Sequence, residues 1–340
     1  MRIGKLSNKE LEEIVLSRLP KLSSRTITGS QVGADCAWLS CGSNLLVAST
    51  DPVTAGGSES GRLAIHVSCN DIAASGVRPI GILMVIIAPP STTREELLAL
   101  VDQASRTAEQ LGVDIVGGHT EISDSVNRFV VTTTAFGVVE KNDCVPLGKA
   151  MPGDTLIMTK TAAIEGSWIA IMEHRSKIEK AISPEQLADV ETFYTKLSVV
   201  KEGILAASCP SSGKNRNPQG FTHSAVNLMH DVTEGGIFGA AYEMADLSGT
   251  GLIIDPSAIP VHPATAAITA SLGLDVMRLI SSGSLLIATC EPEVIMSRLQ
   301  DNQIPCAVIG SFTEKGFFMK EPNGQLLPLM PPDVDELYKM

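Results

Sequence analysis

Three apolar stretches in the N-terminal half of the chain stop at, or enclose, acidic and chelating residues, and this punctuation restricts the fold more than any other feature. Residues 45–48 run into Ser49-Thr50-Asp51-Pro52. Residues 63–74 read as an apolar helix interrupted by Asn70-Asp71, and residues 113–116 run into Gly117-Gly118-His119-Thr120-Glu121. Acids set at strand ends and inside an apolar helix need a cation or donors, because an unpaired buried carboxylate is costly. A metal-held polyphosphate would supply the partner, since Mg²⁺ takes hard oxygen ligands and keeps phosphate oxygens beside them. Such a nucleotide site would have no Walker loop: the chain contains no Gly-x-x-x-x-Gly-Lys-Ser/Thr run.

The periodicity around these clusters interleaves helices and strands. Residues 7–19 read as an amphipathic helix with Ser7 as cap, Glu10 at capping-box spacing, and Leu11, Ile14, Val15 and Leu19 as its apolar face. Residues 59–74 form a second helix and 79–88 a buried strand. Residues 93–111 form a third helix, capped by Thr93, with Glu95 and Glu96 at its positive end and Gly112 at its stop. Residues 113–116 are a short strand, and 128–139 a long one whose Thr132, Thr133 and Thr134 suit a half-polar face. Pro146, Gly148, Pro152 and Gly153 then mark a boundary.

Beyond it the alternation repeats, with helices at 167–172, 184–193, 198–207, 237–245 and 292–299 and strands at 154–159, 225–229, 251–254, 284–289 and 307–313. The polar insert between Cys209 and His223, which holds the basic stretch 214–216, reads as a mobile surface loop. A length of 340 residues favours two domains, 1–148 and 149–340, of an α/β (α+β) class.

With 44% hydrophobic residues but only 4% aromatic, the cores must be aliphatic. A formal charge of −12 argues against a nucleic-acid partner, which needs clustered Lys and Arg. Seven cysteines without a Cys-x-x-Cys pair read as thiols in a reducing cytosol. The first 16 residues carry charges throughout, and no apolar run approaches the roughly 18 residues of a membrane span. A soluble, cytoplasmic protein is expected.

Each constellation has a plain alternative. Asp35, after Gly33-Ala34, could sit in an Asx-turn, and His119 could be a structural histidine. His230-Asp231-Val232-Thr233-Glu234-Gly235-Gly236 offers either an anion site at a helix start or an ordinary helix capped by Thr233 or Asp231. Ser281-Ser282-Gly283-Ser284 could be a phosphate-facing turn or a hairpin connection.

Taken in order, GADCAWL from Gly33, STDPVTAGG from Ser49, NDIAASGVRP from Asn70, GGHTE from Gly117, MPGD from Met151, MHDVTEGG from Met229 and SSGSLLIA from Ser281 resemble the AIR synthase-related superfamily. That superfamily includes PurM, ThiL, selenophosphate synthetase and HypE, and the resemblance is closest to the HypE-like members. It implies a PurM-like two-domain fold, with an N-terminal sheet that dimerises into a barrel-like interface and a C-terminal α/β domain. ATP and Mg²⁺ would be the cofactors, in a homodimer acting on a small-molecule or carbamoyl-type acceptor.

Carried over by position, the resemblance makes Asp35, Asp51, Asp71 and Glu121 metal ligands, and Asp35, Asp51, Asn70, Gly117, Gly118 and Thr120 nucleotide-binding. Asp71, His119, Asp231 and Glu234 would be catalytic. The implied reaction is ATP-dependent phosphorylation of an amide, carbamoyl or similar oxygen. The alternatives are a small-molecule kinase resembling ThiL and a nucleotide-binding partner without turnover. Three departures stand out. His119 replaces a customary acid, no cysteine lies beyond Cys306, and Ala55-Gly56-Gly57 replaces a PurM-pattern lysine.

Overall fold

A computed structural model describes residues 4, 6–54, 57–141, 143, 146, 148–211, 224–331 and 334–340. Ala55, Gly56, Cys144 and most of the 209–223 insert therefore lie outside the described residues, and the bridge between Pro210 and Ser224 closes the base of that insert.

The N-terminal half forms a six-stranded sheet from β1 (Thr26–Thr28), β2 (Ala37–Cys41), β3 (Asn44–Val53), β4 (Pro79–Ala88), β5 (Asp114–Ile122) and β6 (Val130–Glu140), in the order β1-β2-β3-β6-β4-β5. All neighbours are antiparallel except β4 and β5. The chain enters through α1 (Asn8–Glu10), whose Ser7–Glu10 capping box forms as expected. The long amphipathic helix does not follow: the chain continues as a π turn (Leu11–Val15) and a 3₁₀ turn (Leu16–Arg18), with Ile14 and Leu19 each 46% exposed. Without a surface to cover its apolar face, so short a helix is not held in regular form.

Helices α2 (Ser60–Ala74) and α3 (Arg94–Leu111) cover one face of this sheet. Thr93 caps α3 and Gly112 ends it in the left-handed conformation, as the sequence predicts. Helix α2 is buried on nearly every side, so its polar residues, Asn70 and Asp71 among them, need partners in the interior. It packs against β3 and β6 below and against α6 (Val200–Ala207) of the C-terminal half above. A Cβ on Gly203 of α6 would lie 2.2 Å from the Ala73 carbonyl, so glycine there sets how closely the halves approach.

The opposite face of the sheet is open. Ile80, Leu83 and Val138 point outward from it, and Val116 and Ile122 of β5 are also exposed.

Two strands run longer than expected. The strand at 45–48 extends to Asn44–Val53 and carries Asp51 within it. The strand at 113–116 extends through the glycines to Ile122, pairing Gly117 with Leu83, His119 with Val85 and Glu121 with Ile87. The reason is steric: the register slips by one residue between Ile82 and Leu83, and just beyond it a Cβ on Gly118 would sit 1.7 Å from the Met84 carbonyl. These glycines let one strand crowd its neighbour at a bulge rather than opening a loop.

The C-terminal half holds a seven-stranded sheet: β7 (Thr155–Thr159), β8 (Val226–Asp231), β9 (Gly251–Ile254), β10 (Leu285–Thr289), β11 (Cys306–Thr313), β12 (Phe317–Lys320) and β13 (Leu326–Pro328), ordered β13-β12-β9-β11-β7-β10-β8. Around it lie α4 (Ile164–Ile178), α5 (Pro184–Glu191), α7 (Gly236–Ser248), α8 (Pro263–Leu272) and α9 (Pro292–Asp301) as well as α6. Central β7 and β10 are buried on both faces. Leu156, Met158, Leu286 and Ala288 meet α7, while Ile157, Leu285 and Ile287 meet α6 and α9. This is the layered α/β class that the sequence predicts. Among the described residues, no helix is long and apolar enough to cross a membrane.

Candidate active site

A cavity of about 1210 Å³ lies where the two halves meet. Its N-terminal wall carries Asp35, Asp51 and Asp71, and its C-terminal wall carries Glu165, Thr233, Glu234 and Ser282. Each acid has a structural reason to be there. Gly33 turns with φ +76°, and a Cβ on it would press at 3.3 Å on the Glu243 carbonyl and on Leu247, so the turn that presents Asp35 lies directly on α7. Asp51 stands late in β3 opposite Thr133. Asp71 projects from α2 and accepts a 2.5 Å hydrogen bond from Ser49 Oγ on β3. Asp231 ends β8 just beneath the cavity wall, opposite Leu285.

The electrostatics are those of an overcrowded acid cluster. Burial pushes the Asp71 carboxyl well above the usual range, and Asp231, Asp51 and Asp35 push it further. Burial and Asp35 lift Asp231 to about 7, with His230 opposing. Both Asp231 oxygens are buried without a conventional hydrogen-bond partner, so the pair with Asp71 is tolerated only with a shared proton or a bound cation.

His230 supplies one built-in positive charge. Burial alone would lower its pKa, but Asp35 at 3.4 Å, Glu243 at 3.5 Å and the neighbouring Asp231 together raise it to about 10. Its Nδ1 also lies 2.6 Å from the Asp231 carbonyl, the geometry of a donated hydrogen bond. Asp35, His230 and Asp231 could each offer one ligand atom within 4.8 Å of the others. The His230 Nδ1 is engaged with the Asp231 carbonyl, and the carboxylate oxygens of Asp35 and Asp231 are donors that suit a hard divalent ion such as Mg²⁺.

The other sequence-predicted residues go elsewhere. Asn70 is wholly buried with its amide spent between the halves: Nδ2 donates to the Leu197 carbonyl and Oδ1 accepts from the Val199 amide, both at 2.8 Å. Both ends of the Asn70 amide are thus engaged in joining the two halves. Gly117, Gly118, His119, Thr120 and Glu121 lie along β5, all exposed, and none lines the cavity of its own chain. His119 Nε2 instead faces Glu121 Oε2 at 3.2 Å. Glu234 does reach the cavity and accepts from the Tyr338 hydroxyl at 3.0 Å. The start of α7 is not capped by Thr233 or Asp231; the Gly235 amide donates to Asp335 Oδ2 at 2.6 Å.

Sequence reasoning missed Glu165. It lies in the first turn of α4, where Ala163-Ile164-Glu165-Gly166 puts one acid in an apolar run, the same signal that marked Asp71. Burial lifts its carboxyl to about 7 against the pull of Ser282, whose amide donates to Oε2 at 3.3 Å.

The two α/β halves thus enclose one cavity lined by clustered carboxylates, an arrangement that fits a class of protein rather than a single member. Sequence comparison makes the class specific. Residues 33–139 match the N-terminal domain of AIR synthase related protein and residues 216–320 match its C-terminal domain, and the chain belongs to the AIR synthase-related family.

It is 25% identical over 290 residues to a putative hydrogenase expression/formation protein of Methanocaldococcus jannaschii, covering 84% of this chain and 80% of that one. It is 27% identical over 244 residues to the carbamoyl dehydratase HypE of Rhodobacter capsulatus, covering 71% and 65%. The chain thus spans just under two thirds of that second relative. The solved structure of a hydrogenase maturation protein HypE in complex with ATP superposes with a TM-score of 0.69 at 20% identity, covering 98% and 97% of the two chains.

Proposed function

We propose that this protein is an ATP- and Mg²⁺-dependent, HypE-like enzyme that phosphorylates an oxygen of an amide- or carbamoyl-type acceptor, from domains 1–148 and 149–340 of a cytoplasmic homodimer. One observation carries the reading: Asp35, Asp51 and Asp71 converge on a single cavity, backed by a buried Asp231 crowded against Asp71. The similarity to relatives described as carbamoyl dehydratases, and the fold shared with an ATP-bound HypE, support the same direction.

The residues fit the ion, and Asp35, Asp51, Asp71 and Asp231 would hold it. When bound, Mg²⁺ neutralises phosphate charge and makes ADP a better leaving group. His230 holds Asp35 from behind and keeps one positive charge under the acids. Glu234, on the C-terminal wall, is placed to take a proton. The exposed apolar face formed around β4, β5 and β6 fits a second copy of the chain. His119 has its place on β5 beside Glu121, so its replacement of an acid gives no reason within one chain to expect loss of turnover.

Isothermal titration of ATP with and without Mg²⁺, followed by ADP release on the same sample, tests the reading. Metal-dependent binding with slow ADP release is expected. Absence of binding would sink the nucleotide site, and binding without turnover under every acceptor would leave a nucleotide-binding partner protein.

A further inference from the structure

Strand β3 turns alternate side chains toward α2, and on that face Leu45, Val47, Ser49, Asp51 and Val53 follow one another. Leu45, Val47 and Val53 are core, and Asp51 lines the cavity. Ser49 interrupts the apolar stripe. It is 8% exposed, at a position where a β-branched residue would pack as Val47 and Val53 do, and a buried hydroxyl is costly unless its hydrogen bond is made. That bond goes to one of the clustered acids: Ser49 Oγ donates to Asp71 Oδ2 at 2.5 Å, joining β3 to α2 at the cavity wall. So short a hydroxyl–carboxylate contact is of the charge-assisted kind. Its neighbour Thr50 behaves differently, because its hydroxyl donates to the Thr133 carbonyl and accepts from Thr134, both on β6. The Thr50 hydroxyl serves the sheet, and the Ser49 hydroxyl serves Asp71.

Asp71 needs such an anchor. The torsion that sets the plane of its carboxyl is soft, and Asp231, Asp51 and Asp35 crowd it with like charge. A bond donated to one oxygen fixes that plane and leaves the other oxygen to a ligand. Hydrogen bonds that orient a metal-ligating side chain are worth about 10–100-fold in metal affinity.

Resting on the metal reading proposed above, we infer that Ser49 is a positioning residue for the divalent ion: its hydroxyl holds Asp71 Oδ2 so that Oδ1 is the oxygen offered to the ion. Ser49 itself touches neither ion nor nucleotide. Asp71 then ligates through one oxygen, which suits the small, octahedral Mg²⁺.

The test reads metal binding rather than turnover. The nucleotide-free full chain is titrated with Mn²⁺ alone, with free Mn²⁺ followed by electron paramagnetic resonance. Asp71→Asn marks the site, since the Mn²⁺ held there is lost in that variant. Ser49→Thr and Ser49→Val are nearly equal in size and both suit a strand, but only the first keeps the hydroxyl. Ser49→Thr should bind Mn²⁺ within about threefold of native, and Ser49→Val about tenfold or more weakly. Circular dichroism of the metal-free variants checks that the fold is retained. Ser49→Ala, which adds no bulk, repeats the Ser49→Val comparison and should show the same loss. Native affinity in Ser49→Val and Ser49→Ala, or a loss in Ser49→Thr as large as in Ser49→Val, overturns the assignment. No Mn²⁺ binding by the native chain, or binding that Asp71→Asn leaves unchanged, overturns instead the metal reading on which it rests.

Discussion

Replacing Asn70 by Ala separates a ligand role from a structural one. The side chain donates to the Leu197 carbonyl and accepts from the Val199 amide, both at 2.8 Å and wholly out of water. Two intramolecular hydrogen bonds are worth about 1 kcal/mol each, and leaving the Val199 N–H unpaired in the interior adds roughly 1–3 kcal/mol. A total loss of about 3–5 kcal/mol is therefore expected, a large fraction of ordinary domain stability. Trp38 and Trp168 are both buried, so urea denaturation followed by tryptophan fluorescence reads the loss. Mg²⁺-ATP affinity of the folded fraction should stay within threefold of native. A denaturation midpoint that does not move, together with a tenfold or greater loss of ATP affinity, would refute the reasoning and return Asn70 to the nucleotide site.

Glu165→Gln tests the buried acid by pH. A folded-state pKa raised from 4.5 to about 7 means stability is greatest below pH 4.5 and declines as pH rises through 7, by about 3 kcal/mol. The Gln variant should match the native chain near pH 4.5 and exceed it by that amount at pH 8, and a difference constant across pH would count against the assignment. Asp71→Asn should cut ADP release on the order of 100-fold while raising the melting temperature, because it removes one charge from a crowded cluster. Calorimetry showing lower stability would contradict the crowding. Leu83→Lys, on the open sheet face, should yield a monomer in sedimentation equilibrium, and a persistent dimer would place the interface elsewhere.

The layered α/β architecture was legible because it rests on local pattern: the apolar run of β4 and the capped, Gly-terminated α3 carry their boundaries in their own residues. That Asp35, Asp51 and Asp71 share one cavity was legible in part: Asp51 and Asp71 interrupt apolar contexts, whereas Asp35, in a glycine turn, was reached through the family resemblance. What was hidden depends on neighbours distant in sequence. Gly117-Gly118 reads as the end of a strand until its pairing with Leu83 and Met84 is seen, and nothing near Asn70 in the sequence announces its bonds to residues 197 and 199. Glu165 was missed for a simpler reason: its single-acid signal was present, but it stood at a helix start, where an acid has an ordinary place beside the helix dipole.

The clamp formed by Asn70 also bears on how the chain is made. Its carbonyl partner is synthesised 127 residues later, so at about 5–20 residues per second helix α2 leaves the ribosome roughly 6–25 seconds before its upper face can be covered. For that interval the nascent N-terminal half shows an apolar helix to its surroundings. Its maturation should therefore depend on the speed of elongation and on holding chaperones more than that of a domain whose core closes within its own sequence.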